Sequence, residues 1–320
     1  MQAVLVDRYG PPEVAQVREV PTPTPRAGEV LVRVVAVPVT SGDARLRAAR
    51  FPKGFGALAR LAVGVRRPRG GAFGAFFSGE VVAVGTGVEG FAVGDRVSGS
   101  TGAGMGAHAE YVITRPSRLV ATPASLSPDA AAAILFGGTT ALDYLRDKAR
   151  LSAGATVLVN GASGSVGTAA VQIARHLGAR VTALTSEANA ELVRRLGAER
   201  VIDYHSTSPA QLSRDGERFD VVMDTVGTLS PASGRPLLAP NGLLLLVVAS
   251  LGEILLPRRW VKAGPAAESR DLMATVLNLT AEGVLDPVIE ASLPLSGIAE
   301  AYARVDSGRK VGNIVVRPGA

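Results

Sequence analysis

The stretch that most constrains this chain is Thr156–Ser186, TVLVNGASGSVGTAAVQIARHLGARVTALTS. A short apolar strand (Val157–Val159) runs into a glycine-rich turn, a helix and a second apolar strand (Val181–Thr185), which is the first half of a dinucleotide-binding βαβ unit. Gly161 begins the turn. Gly164 removes a side chain where backbone must approach a pyrophosphate, and Gly167 lets the new helix pack closely on the sheet. The first-turn N–H groups of that helix face an anion. Gly161, Ser163, Gly164, Ser165, Val166 and Gly167 are therefore candidate cofactor-binding residues. Val166, Ala169, Ala170, Ile173, Ala174 and Leu177 recur at helical spacing, and Gly178 ends the helix.

Strand and helix alternate on either side of this unit. Val157–Val159, Val181–Thr185, Arg200–Asp203, Val221–Asp224 and Leu243–Val248 read as strands of a parallel sheet covered by helices. Before it, Ala3–Val6, Glu13–Glu19, Glu29–Val37, Gly79–Val84, Arg96–Ser98 and Ala109–Thr114 read as an all-β lobe. The pattern changes at Ser127, which can cap a helix through Ala130–Phe136; Gly137-Gly138-Thr-Thr then leads to a second helical stretch, Ala141–Ala149. Leu272–Gly283 reads as a helix. Gly312–Val316 has β character with no following helix and is returned to the first lobe. The expected fold is α/β, a doubly wound parallel sheet over residues 124–265 inserted into a discontinuous β domain of residues 1–123 and 266–320.

The chain has 320 residues, enough for two domains. It has no cysteine, which excludes disulfides, thiolate metal sites and cysteine nucleophiles. The apolar runs are too short to cross a bilayer and Met1–Val6 already reads as strand, so neither a membrane partner nor a targeting segment is expected. The formal charge of +6 raises nucleic acid as a partner, but the arginines read as scattered, apart from Arg66, Arg67 and Arg69, and aromatic residues are scarce. A solvated arginine-rich surface is the preferred reading.

Gly28-Glu-Val-Leu-Val-Arg-Val, Gly79-Glu-Val-Val-Ala-Val-Gly, Gly94-Asp-Arg-Val, Ala109-Glu-Tyr-Val, the glycine turn and Phe219-Asp-Val-Val-Met-Asp-Thr-Val-Gly together resemble the medium-chain dehydrogenase/reductase superfamily, closest to its zinc-independent quinone oxidoreductase branch. The resemblance covers essentially the whole chain. It implies a Rossmann domain inserted in a GroES-like domain, a cytoplasmic homodimer joined through the nucleotide domains, and a small-molecule substrate. Where zinc-dependent members place a cysteine and a histidine, this chain has Thr40 and Ala75, so no zinc is expected. Without a Lewis acid, acceptors that delocalise the charge left by hydride addition are favoured. The resemblance thus implies NADPH-dependent reduction of a quinone. Alternatives are reduction of an enone or 2-alkenal double bond and, from a different class, nucleotide binding without turnover.

By the same resemblance Thr40 stands where an asparagine contacts the nicotinamide ribose, Thr140 matches a threonine near the nicotinamide, and Val226 and Val248–Ser250, with Ala249 between them, line the ribose and nicotinamide. Ser186 occupies the end of the second strand, where an NAD enzyme places an acid, and Tyr204 matches a tyrosine beside the 2′-phosphate; NADPH is favoured over NADH. The usual basic residue is missing from Ser186-Glu187-Ala-Asn, which leaves Glu187 able to act as the acid, and Asn313, a further candidate cofactor-binding residue, stands in place of a lysine. Asp43 and Arg47 read as fixing the substrate-side loop and His108 as structural; His176 and His205 read as surface residues. Thr40, Asp43 and Thr140 are the substrate-side candidates, and no proton donor is assigned.

Overall fold

The structure is a computed structural model that describes residues 1–68, 71–256 and 258–319, without the side chains of Ala57 and Ala62. Arg69, one of the clustered arginines, lies outside the described residues. The first lobe opens with the hairpin partners β1 (Gln2–Val6) and β2 (Ala15–Glu19), followed by β3 (Val30–Pro38), β4 (Phe76–Val84), β5 (Arg96–Ser100), β6 (Tyr111–Thr114) and β7 (Leu119–Ala121). The second carries β8 (Thr156–Asn160), β9 (Arg180–Thr185), β10 (Arg200–Asp203), β11 (Phe219–Asp224), β12 (Leu238–Leu246) and β13 (Val261–Ala263). The chain then returns to the first lobe with β14 (Ile289–Pro294) and β15 (Asn313–Arg317).

Strands β8 to β13 form one sheet in the order β10-β9-β8-β11-β12-β13, with every neighbouring pair parallel. The order reverses between β8 and β11, so the helices that follow these two strands leave on opposite faces and open a crevice at the strands' carboxyl ends. The second sheet runs β14-β15-β3-β4-β5-β7, with β6 also paired to β3. The sequence assigned the last strand to the first lobe, and β15 does pair antiparallel with β3 there, through Val315 and Val316.

Three readings of the chain change. The first lobe is not all β: it also holds helices Ser41–Arg47, Gly56–Val63 and Ile298–Asp306. Helix Pro128–Leu142 does not break at Gly137-Gly138 but runs through both and continues as a π-helical turn over Asp143–Lys148. The two glycines serve packing there: a Cβ on Gly137 would lie 2.4 Å from the Ser165 carbonyl oxygen and one on Gly138 3.2 Å from Val276. Finally, β12 ends at Leu246, which leaves Val248 in the loop beyond the sheet.

The helix Pro128–Leu142 is the spine between lobes. Ile134, Leu135 and Leu142 join Val166, Ile173, Val276 and Leu277 in the core on one face of the parallel sheet, while Ala132 and Ala133 pack on Ala36 and Val315 of the β lobe. At its first turn, Asp129 accepts hydrogen bonds from Ser292 on β14 (2.5 Å) and from Arg317 on β15 (2.6 Å), joining the helix to the returning strands.

Candidate functional site

The glycine turn lies at the carboxyl end of β8, beside the switch point. Gly161 has φ +82°, a left-handed conformation that a side chain would strain. A Cβ there would also strike Val226 at 2.6 Å, so the missing side chain is what lets the loop after β11 lie on the turn. At Gly167 a Cβ would meet the Gly161 carbonyl oxygen at 2.1 Å, which makes this glycine the close contact between helix Ser165–His176 and the turn. Gly164 differs from both. A Cβ would meet only the Gly161 carbonyl oxygen, at 3.6 Å, so the backbone there faces open space.

A nicotinamide dinucleotide fits this turn. The N–H of Thr168 is the first to bond back into the helix, to Gly164 at 2.8 Å, and the first-turn N–H groups of Ser165, Val166 and Gly167 remain for an anion. Two buried hydroxyls at the same edge, Ser165 Oγ and Thr185 Oγ1, have no hydrogen-bond partner.

Across the switch point, Asn160 at the end of β8 and Asp224 at the end of β11 form a pair the sequence reading did not pick out. Asn160 Nδ2 donates to Asp224 Oδ1 (3.0 Å) and to Thr228 Oγ1 (2.7 Å). Asp224 also accepts from the N–H groups of Val226, Gly227 and Leu229, so one buried carboxylate shapes the whole loop. Burial pushes this carboxyl above its ordinary value, against the pull of those donors. The signal was legible in principle: an acid ending an apolar strand, followed by Thr-Val-Gly, has no solvent to satisfy it and needs local N–H partners.

Several of the expected cofactor residues converge here. Val226 stands half exposed over Gly161, and Val248 lies 3.0 Å from where a Gly227 Cβ would project. Tyr144 fixes the strand before Val248, its hydroxyl donating to the carbonyls of Leu246 and Gly264. Ala249 is buried next to it. On another side, Gly312 pairs with Gly164, and its N–H donates to the Ser163 carbonyl (2.8 Å). Asn313 follows, but its side chain turns inward: it is buried and Nδ2 donates to Pro287 O at 2.6 Å.

At the end of β9, Ser186 is half buried and Glu187 exposed. Asn189 donates from Nδ2 to Ser186 Oγ and to Ser163 Oγ, each at 3.1 Å. Tyr204 is exposed, continues the pairing of β10 with β9 through its N–H to Thr185 O, and lies against His205 with ring centroids 4.3 Å apart and planes tilted by 44°. His176 is exposed as well.

The substrate-side residues sit in a different network. Thr40 caps helix Ser41–Arg47: its hydroxyl donates to Asp43 Oδ2 (2.6 Å), and the Asp43 N–H donates back to it (3.2 Å). Asp43 also accepts from the Gly74 N–H (3.1 Å). Arg47 is completely buried, donating to Gly10 O and pairing with Asp306, with its guanidinium 5.0 Å from the Tyr302 ring centroid. His108 is equally buried, between Pro38 O and the Tyr302 hydroxyl, each at 3.4 Å. Burial lowers its pKa more than the nearby Asp43 raises it. Thr140, on the spine helix, donates to Phe136 O at 2.7 Å. Thr40 and Thr140 are thus held by their own helices, and no described hydrogen bond joins either to the glycine turn. Among the described residues no group of three or more His, Cys, Asp or Glu side chains is placed to hold a metal ion, and no helix is long and apolar enough to cross a membrane.

Comparison with known proteins agrees with this arrangement. Residues 26–124 match the alcohol dehydrogenase GroES-like domain, residues 196–316 a zinc-binding dehydrogenase model and residues 146–243 the C-terminal domain of alanine dehydrogenase/PNT. A chloroplast envelope quinone oxidoreductase homolog from Arabidopsis thaliana is 30% identical over 94% of this chain and 93% of its own. The structure of the quinone oxidoreductase from Coxiella burnetii superposes with a TM-score of 0.90 at 27% identity, over 99% of both chains. A mycobacterial protein solved in complex with NADPH superposes with a TM-score of 0.82 at 26% identity, over 99% of this chain and 100% of its own. With a Rossmann crevice that fits a nicotinamide dinucleotide, and relatives matched along nearly their full length, this chain belongs to the quinone oxidoreductase branch of the medium-chain dehydrogenase/reductase superfamily and is an oxidoreductase.

Proposed function

We propose that the protein is a zinc-independent enzyme that moves hydride from NADPH to a quinone or another conjugated carbonyl acceptor. The observation that carries this reading is the chemistry of the two positions where zinc-dependent relatives hold their metal. The Thr40 hydroxyl is committed to the cap it shares with Asp43, and Ala75 has no donor atom in its side chain. With nothing at those positions to polarise a simple ketone, the acceptor must carry its own means of spreading negative charge, as a quinone or an enone does.

The bound nicotinamide supplies the hydride. The chain's own part is positional. The first-turn N–H groups of helix Ser165–His176 hold the pyrophosphate, the loop shaped by Asp224 carries Val226 to the ribose, and Val248 and Ala249 border the nicotinamide. NADPH is preferred to NADH because Ser186 and Asn189, both without charge, stand at the end of β9 where a carboxylate would repel a 2′-phosphate. The similarity to a protein solved with NADPH points the same way. The inward-turned Asn313 is assigned to holding its loop. We take the domain divisions near residues 124 and 266 with this reading, together with a cytoplasmic homodimer paired through the nucleotide domains, where β13 ends the sheet and Leu255 and Leu256 are exposed.

The test is steady-state oxidation of NADPH and NADH, each with a naphthoquinone and separately with a 2-alkenal, with and without a strong chelator. Chelator-insensitive turnover of NADPH with the quinone is expected. Faster turnover of the alkenal would move the assignment to double-bond reduction, preference for NADH would make Glu187 the ribose ligand, and chelator sensitivity would overturn the zinc-independent reading.

A further inference from the structure

The positive charge of this chain is concentrated in one segment. From Ala44 to Gly79 there is no aspartate or glutamate, while eight arginines and lysines fall there, more than the net charge of +6 for the whole protein. The remainder of the chain is therefore net acidic, because the lysines and arginines scattered through it are outnumbered by aspartate and glutamate. Asp306 pairs with both Arg47 and Arg50 and offsets one of their two charges, while Lys53, Arg60, Arg66 and Arg67 are exposed.

The same segment holds helix Gly56–Val63, on which Leu58 and Leu61 are 56% and 61% exposed, with Val65 at 54% just beyond it. The three-residue spacing of Leu58 and Leu61 places them on one side of the helix. A surface helix ordinarily turns such a side inward; this one presents it to the outside. The helix is tied down at both ends: the Tyr9 hydroxyl donates to Gly64 O at 2.7 Å, and the Leu251 N–H donates to Lys53 O at 2.9 Å.

We infer that this platform docks on the surface of an anionic phospholipid bilayer. Lys53, Arg60, Arg66 and Arg67 match acidic headgroups, and Leu58, Leu61 and Val65 enter the boundary between headgroups and acyl chains. This is attachment to a membrane surface, which needs no spanning helix. Nucleic acid would answer the charge but offers no partner for three exposed aliphatic side chains, and helix Gly56–Val63 has no aromatic residue to stack on a base. The anchor at Leu251 directly follows Val248–Ser250, so the platform lies beside the segment proposed above to border the nicotinamide. On the quinone reading proposed above, an acceptor dissolved in lipid enters the cleft from the docked face.

The experiment is sedimentation of the full chain with vesicles of phosphatidylcholine alone or mixed with phosphatidylglycerol, at low and high salt. The protein is expected to pellet with the mixed vesicles at low salt, and to be released by salt or by omission of the acidic lipid. Leu58→Ser/Leu61→Ser and Arg66→Glu/Arg67→Glu should each weaken partitioning at least about tenfold, with an unchanged thermal midpoint as the check that they fold. Wild-type protein left in the supernatant, pelleting without vesicles through self-association, or tighter binding to duplex DNA than to mixed vesicles would each overturn the inference. Vesicle binding is read without turnover, so failure of the quinone assay would overturn the catalytic reading and leave this one standing.

Discussion

Asn189 Nδ2 lies 3.1 Å from Ser163 Oγ and the same distance from Ser186 Oγ, so a single carboxamide ties the glycine turn to the end of β9. On the reading proposed above, the parts that would hold the phosphates and the ribose are thereby set relative to each other by a residue that carries no charge. Removing it with Asn189→Ala is expected to raise the KM for NADPH and NADH together, by up to about tenfold, since a net hydrogen bond is worth roughly 1 kcal/mol. Ser186→Asp should act selectively, weakening NADPH at least about tenfold relative to NADH, because like charges ~4 Å apart repel by roughly 4 kcal/mol at the effective dielectric of a protein surface. Initial rates with both nucleotides decide it; an equal effect of Ser186→Asp on the two would remove Ser186 from the 2′-phosphate site.

Gly164 and Gly167 of the turn should separate stability from binding. A Cβ at Gly164 enters open space, so Gly164→Ala is expected to unfold within about 0.5 kcal/mol of the parent while losing affinity for the dinucleotide. Gly167→Ala drives a methyl into the Gly161 carbonyl and should cost about 1–3 kcal/mol or more in denaturant unfolding. Equal losses of stability in the two variants would refute the assignment.

His108 should make the protein acid-sensitive. Burial lowers its pKa from the ordinary 6.5, so the unfolded chain takes up a proton at a pH where the folded protein does not. The unfolded state then binds more protons, and stability, complete above about pH 6.5, falls as the pH drops below it. His108→Phe preserves a ring beside Tyr302, whose centroid is 6.0 Å away. Its denaturant midpoint should be flatter from pH 7 to 5 than the parent's; identical slopes would place the sensitivity elsewhere.

Asp129 joins the spine helix to the returning strands. Burial raises its carboxyl, but the hydrogen bonds from Arg317 and Ser292 outweigh it and hold the pKa below 3.8. Its contribution is present above about pH 4 and is lost as the pH falls through the folded value. Asp129→Asn is expected to cost about 1–2 kcal/mol at neutral pH, and Arg317→Ala less, since Arg317 is half exposed. A neutral Asp129→Asn in thermal unfolding would mean the lobes are held by apolar packing, Ala132 and Ala133 on one side and Phe136 against Phe76 on the other.

The sequence by itself determined the elements that rest on short-range rules. The glycine spacing, the 3.6-residue period after it and the apolar strands before and after it specify a Rossmann unit because each follows from backbone geometry within a few residues. The final strand was assigned to the first lobe because β character without a following helix has only one sheet left to join. Tertiary structure decided what depends on partners distant in the chain. Gly137-Gly138 reads as a helix break locally, yet the helix runs through it, and the two glycines make room for the Ser165 carbonyl and for Val276. Asn189, Asn160 and Asp224 gain meaning only when the strand ends meet at the switch point. Asn313 was expected to face the cofactor, but the pairing of Gly312 with Gly164 turns its side chain toward Pro287. Leu58 and Leu61 drew no reading from the sequence; only the fold shows that their side of the helix is left uncovered. Local propensity is set by a residue and its neighbours; which groups are buried, paired or left open is set by contacts across the fold.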